Sequence, residues 1–112
     1  MNEKKLVKEL KKLIIDENVN YYKDLLENYD EKEATDEYWS ELLPFYRGLA
    51  LENQALVIKL IKQTAIDTVS NVLGVVDGVV DFPMEVKFIN VNNNGVFEDD
   101  LQDLFLEIIE ED

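Results

Sequence analysis

Between Leu56 and Pro83 the chain reads LVIKLIKQTAIDTVSNVLGVVDGVVDFP, its longest apolar stretch and one almost without acidic residues. No glycine or proline interrupts the chain from Leu49 to Gly74, so a long helix is the expected form. Leu56, Leu60, Ile61, Ala65, Thr68, Val69, Val72, Leu73 and Val76 make a broad apolar face, with Lys59, Lys62, Gln63, Asp67, Ser70, Asn71 and Gly74 on the other side. A stripe this wide suits a helix touched by several neighbours. Gly74 and then Asp77-Gly78 are its stop signals. Lys59, Lys62 and Asp67 also break it up as a membrane span.

The flanks divide into shorter elements. Leu6, Val7, Leu10, Leu13 and Ile14 recur at helical spacing among Lys4, Lys5, Lys8, Lys11 and Lys12, which predicts a basic amphipathic first helix docked on the rest of the chain. NVNYYKDLLENYD, from Asn18 to Asp30, reads as a second helix and DEKEA as a solvated connection. Thr35 is the expected N-cap of a third helix, in which Tyr38, Trp39, Leu42 and Leu43 supply apolar bulk until Pro44 ends or kinks it. Val79 and Val80 fall between turn signals and read as loop. Beyond the central stretch, Met84, Val86 and Phe88 alternate with Glu85 and Lys87, as in a half-buried strand, and Asn94-Gly95 favours a tight hairpin turn. Leu101, Leu104, Phe105, Ile108 and Ile109 then form a regular stripe, with Asp99 and Gln102 as a capping pair. The expected fold class is α+β, mainly helical: four to five helices around a long central helix, with one short β-hairpin before the C-terminal helix. With no internal repeat or low-complexity linker, residues 1–112 are expected to form one compact domain.

Composition excludes several function classes. Eleven basic against 25 acidic residues leave a formal net charge of −14, which opposes attraction to nucleic acid and to anionic lipid. The chain has no cysteine and no histidine, so disulfides, thiolate sites, histidine metal sites and histidine general bases are all unavailable. MNEKKLVKELKK interleaves lysine with leucine where a secretory leader would be uniformly apolar, and a cytoplasmic protein is expected.

Candidate sites are few. Asn90, Asn92, Asn94 and Gly95 occupy the first, third, fifth and sixth positions of a calcium loop, with Glu98 ninth. The twelfth position is Leu101 where a bidentate glutamate belongs, so an asparagine-rich hairpin turn is the better reading. Of the acids in the central stretch, Asp67 reads first as a solvated aspartate, with Arg47 as the partner it could reach, and Asp77 reads as turn chemistry. Ser40 and Ser70 have no histidine base, and no glycine-rich phosphate loop occurs. No catalytic residue, cofactor or metal is therefore expected, and an enzyme is the least supported class.

The aromatics concentrate at Tyr21, Tyr22, Tyr29, Tyr38, Trp39, Phe45 and Tyr46, interleaved with acids, a composition suited to anchoring a partner with rings and steering it with charge. Neither Tyr21/Tyr22 nor Tyr38/Trp39 can place both members in one core from a helix, so one of each pair is expected at the surface. The candidate partner-binding residues are Asp36, Glu37, Tyr38, Trp39 and Glu41 in the third helix, and Asp103, Glu107 and Glu110 on the acidic face of the last.

In AIDTVSNVLGVVDGVVDFP, MEVKF and DLQDLFLEIIEED the chain resembles small acidic bacterial immunity proteins encoded beside polymorphic toxins. The resemblance implies a cytoplasmic protein that binds a toxin domain and blocks it, and the chain's acidity suits a partner with a basic surface. It assigns no binding residue. A nucleic-acid mimic that blocks a DNA-binding defence protein, of phage or mobile-element type, is the alternative that the charge permits. The partner in either case is a protein and not nucleic acid or a membrane, and the broad apolar face of the central helix leaves a dimer open.

Overall fold

Two long helical runs carry the fold. The structure, a computed structural model, describes residues 2–98 and 100–111. The first run passes without a break through α1 (Glu3–Leu10), a π-helical segment (Lys11–Glu17) and α2 (Asn18–Asn28), where the sequence suggests two separate helices. No glycine or proline lies within it to force a break. A π turn takes one residue more than an α turn, so the inward position moves on by one. Ile15 is consequently buried, whereas Leu13 and Ile14, expected on the buried stripe, are exposed. Lys11 shares the inward side, and its Nζ meets Asp16 Oδ2 at 3.1 Å, five residues on, the repeat of the wider coil.

Arg47 closes the far end of this run. It is the last residue of α3 (Glu37–Arg47), and its Nε donates to the Leu26 carbonyl at 2.9 Å while Nη2 donates to that of Tyr29. Its Nη1 also lies 3.5 Å from Glu31 Oε1. The guanidinium thus serves carbonyls that α2 leaves open at its C-terminus. Asp67 is the exposed aspartate of the first reading, accepting from Gln63 Nε2 at 2.9 Å, and Arg47, the partner it could have reached, is engaged with α2.

The N-cap of α3 is Asp36, one residue after the expected Thr35; its Oδ1 accepts from Trp39 N at 2.7 Å, a charge-assisted bond. This helix does not end at Pro44 but runs on to Arg47. Pro44 and Ser40 are both exposed, so the carbonyl deprived of its donor lies on the solvent side of the helix.

The second long run is α4 (Leu51–Asp77, 27 residues), the longest element. It passes through Gly74 and stops at Gly78, whose φ of 78° is left-handed, with Val79 N and Val80 N donating to the Gly74 carbonyl at 3.0 and 3.2 Å. Gly74 is therefore a packing position and not a stop. A Cβ built there would lie 2.7 Å from Val80 Cγ2 and 2.9 Å from Gln102 Nε2. The buried side of α4 is Ile66, Val69, Ser70, Leu73, Gly74 and Val76. Ser70 and Gly74 thus move from the expected polar side into the interior, and Leu56, Leu60, Thr68 and Val72 move out of it. The cause is α5 (Leu101–Glu110), which packs on the C-terminal half of α4 and on α1.

The stripe expected for α5 holds, with Leu101, Phe105 and Ile108 buried and Leu104 and Ile109 half-buried. Together with Val7, Ile15, Ile66, Val69, Leu73 and Val76 they make the core. Between α4 and α5 the extended pairing is shorter than expected: β1 (Ile89–Asn90) and β2 (Gly95–Val96) pair antiparallel as Ile89↔Val96 and Asn90↔Gly95. Met84 to Phe88 are not strand, although Val86 and Phe88 lean on the core and Met84 is exposed. The turn spans Val91 to Asn94, with Asn94 at φ 56° and Gly95 already in β2. The Asp99 half of the expected capping pair lies outside the described residues.

Among the described residues the result is mainly helical with one two-stranded hairpin. It is elongated, 48 × 29 × 28 Å with a radius of gyration of 17.6 Å, against about 13 Å for a compact chain of this length. The reason is that α5 covers one half of the helix pair and α3 packs on α2 at the other.

Candidate functional site

Trp39 of α3 gathers the rings of Tyr22, Tyr29 and Tyr38. Its ring stacks on Tyr22 at a centroid distance of 6.1 Å and an interplanar angle of 29°. It meets Tyr29 edge-on at 6.1 Å and Tyr38 edge-on at 5.1 Å. Tyr21 continues the series from Tyr22 at 6.0 Å. Each such pair contributes about 0.5–1.5 kcal/mol beyond its buried area, and the two that cross between elements, Trp39 with Tyr22 and with Tyr29, hold α3 to α2 and its C-cap. The series ends in water on both sides, with Tyr21 61% and Tyr38 58% exposed, one member of each adjacent pair as the helical geometry requires. Glu17 and Asp24 stand one turn either side of Tyr21, and Glu41 one turn after Tyr38, all exposed. The arrangement offers ring faces within a frame of carboxylates, which suits arginine or lysine side chains.

The eight candidate binding residues do not form one surface. Within α3, Glu37, Tyr38 and Glu41 are exposed, Trp39 is half-buried in the ring series, and the Asp36 carboxylate is engaged as a cap. On α5, Asp103, Glu107 and Glu110 are exposed and follow one another at three- and four-residue spacing, with Asp100 one turn before. Because α3 packs on α2 while α5 packs on α1 and α4, the two acidic groups belong to opposite halves of the molecule.

The asparagine segment is a hairpin turn. Asn90 Oδ1 accepts from Asn92 N at 3.0 Å, and Asn93 Oδ1 accepts from Gly95 N at 2.8 Å. Among the described residues, no three His, Cys, Asp or Glu side chains stand together as a metal would need.

Three features escape sequence reasoning. One is the junction of α4 and α5, where Asp77 accepts two backbone N–H groups of α5 and Gln102 Nε2 donates to the Ser70 carbonyl at 2.9 Å and to Ser70 Oγ at 3.1 Å. Gly74 within an apolar run was its one visible signal. Another is a groove of about 630 Å³ under the loop after α4, lined by Val76, Val80, Phe82 and Val86 among others. Across it Lys87 Nζ donates to the Val76 carbonyl at 3.4 Å. The third is Tyr46, buried beside the start of α4, where burial first and Glu27 second push its phenol above the usual tyrosine value.

Compared with family models, with curated proteins and with solved structures, the chain has no match. No helix among the described residues is long and apolar enough to cross a membrane.

Proposed function

We propose that the chain is a non-enzymatic, cytoplasmic protein-binding module of the immunity type, which neutralises a partner toxin or enzyme by occupying a basic surface of it. The observation that carries this reading is the ring series Tyr21–Tyr22–Trp39–Tyr38, fixed internally by Trp39 and open to solvent at both ends between carboxylates. Rings held rigidly lose little entropy on binding, which is the property of an interface anchor. A net charge of −14 raises the encounter rate with a cationic partner.

The alternative of a nucleic-acid mimic draws on the row Asp100, Asp103, Glu107 and Glu110. That row follows a helix of about 15 Å, the span of only four to five base pairs, and the acids of α3 do not extend it. The inhibitor reading is therefore preferred.

The test is capture of the product of the reading frame adjacent to this chain's own, at about 150 and about 500 mM salt. A complex that weakens at the higher salt, and weakens at least tenfold in Tyr21→Ala and Tyr38→Ala while Asp103→Asn leaves it unchanged, supports the α2/α3 surface. Absence of a complex, or one indifferent to salt and to both tyrosines, rejects it.

A further inference from the structure

The exposed side of α4 carries a row of residues four apart: Leu56, Leu60, Thr64, Thr68 and Val72. Leu56 is 60%, Leu60 67% and Val72 50% exposed. The two threonines do not make the row polar. Thr64 Oγ1 donates to the Leu60 carbonyl at 2.8 Å and Thr68 Oγ1 to the Thr64 carbonyl at 2.7 Å, so both hydroxyls are turned back onto the helix. What remains outward is an uncharged ridge about 24 Å long, of the four-spaced kind that packs into the groove of a facing helix.

We propose that a second copy of this chain covers the ridge, in an antiparallel pair of α4 helices related by a two-fold axis near Thr64. Charge selects this occupant. Two chains of net charge −14 repel wherever their acidic faces meet, yet from Asn53 to Ile66 there is no acidic residue and there are two lysines. The neighbouring four-spaced row is Lys59, Gln63 and Asp67, all exposed, with opposite charges at its two ends. Antiparallel pairing about Thr64 brings each Lys59 to within two residues, about 3 Å along the axis, of the partner copy's Asp67. The contact is thus self-complementary in charge as well as shape, as an isologous interface requires. A cationic partner has no such reason to prefer a ridge without carboxylates, so the dimer leaves the α2/α3 surface free.

One helix face is small beside the roughly 800 Å² per partner of a standard interface, so a micromolar dimer is expected. Sedimentation equilibrium on the full chain, from about 10 to about 500 μM, should show the mass rising from 13.0 kDa towards twice that value. Leu60→Glu, at an exposed position, should keep the helical circular dichroism and raise the dissociation constant at least tenfold. Lys59→Glu and Asp67→Lys should each weaken the dimer, and the double exchange should recover it. A monomer throughout that range, a dimer indifferent to Leu60→Glu, or a double exchange no better than the single changes overturns the proposal. The dimer should also persist at about 500 mM salt, where long-range repulsion between the two acidic chains is screened, whereas the proposed inhibitor complex weakens.

Discussion

The carboxylate of Asp77, the last residue of α4, caps α5: Oδ1 accepts from Leu101 N at 3.1 Å and Oδ2 from Gln102 N at 2.8 Å. The cap comes from a different helix, 24 and 25 residues earlier in the chain. Asp100, at the N-cap position, makes no side-chain capping bond. Asp77→Ala should destabilise the protein by about 1–2 kcal/mol, the cost of losing an N-cap, and Asp77→Asn by less because an amide oxygen still accepts. Urea denaturation would measure both; equal stability of the alanine variant and the parent would show that the cap is replaced by water.

Gly74 sits where α4 and α5 approach too closely for a side chain. Gly74→Ala should destabilise by about 1–3 kcal/mol despite the gain in helix propensity, because Val80 and Gln102 must both shift. Val80→Ala in the same chain should recover part of the loss, whereas an additive pair of effects would place the strain elsewhere.

Arg47 holds α3 against the end of α2 through two carbonyls at once. Arg47→Met should cost about 2–3 kcal/mol, since charged groups make the stronger hydrogen bonds, and Arg47→Lys should recover little because an ammonium lacks the planar fork. Trp39 fluorescence during unfolding reports on this joint. Loss of its emission change at lower urea than the helical signal would mean that α3 separates first.

Tyr46 makes stability depend on alkaline pH. Its phenol ionises in the folded protein above the usual value of about 10, because burial first and Glu27 second disfavour the phenolate. The neutral form therefore contributes stability that is fully present below about pH 10 and is lost as pH rises through the raised folded value. Between pH 8 and 11 the parent should lose stability relative to Tyr46→Phe, which has no proton to release there. Parallel curves for the two proteins would rule out this contribution.

Residues whose partners lie nearby in the chain could be read from the sequence. The apolar stripe of α5 was visible because Leu101, Phe105 and Ile108 all face one way and the helix has only one covered side. The exposure of Tyr21 and Tyr38 followed from adjacency on a helix. The π-helical segment was invisible because Ile14 and Ile15 are the same residue type, and the shift that buries one and exposes the other leaves the composition unchanged. On α4 the apolar stripe runs right round from the core face to the outer ridge, so periodicity could not show which part α5 would cover. The partners of Arg47 and Asp77 are backbone groups, which leave no pattern in side-chain spacing. Of the candidate site, the aromatic members were legible as a group, but the separation of the α3 and α5 acids depends on the path of the two long helices.

The packing of α5 on α1 has a consequence for how the protein is made. Glu98 N reaches Glu3 Oε2 at 3.4 Å across 95 residues of sequence, and Val7 shares its core with Phe105. During synthesis the helices up to Asp77 emerge with Val7, Ile15, Leu73 and Val76 still uncovered, and the fully buried residues that complete this core, Leu101, Phe105 and Ile108, all come from α5. The nascent chain therefore displays an adhesive surface until α5 is free of the ribosome, and a transcript cut short before Leu101 should yield a chaperone client, not a smaller folded protein.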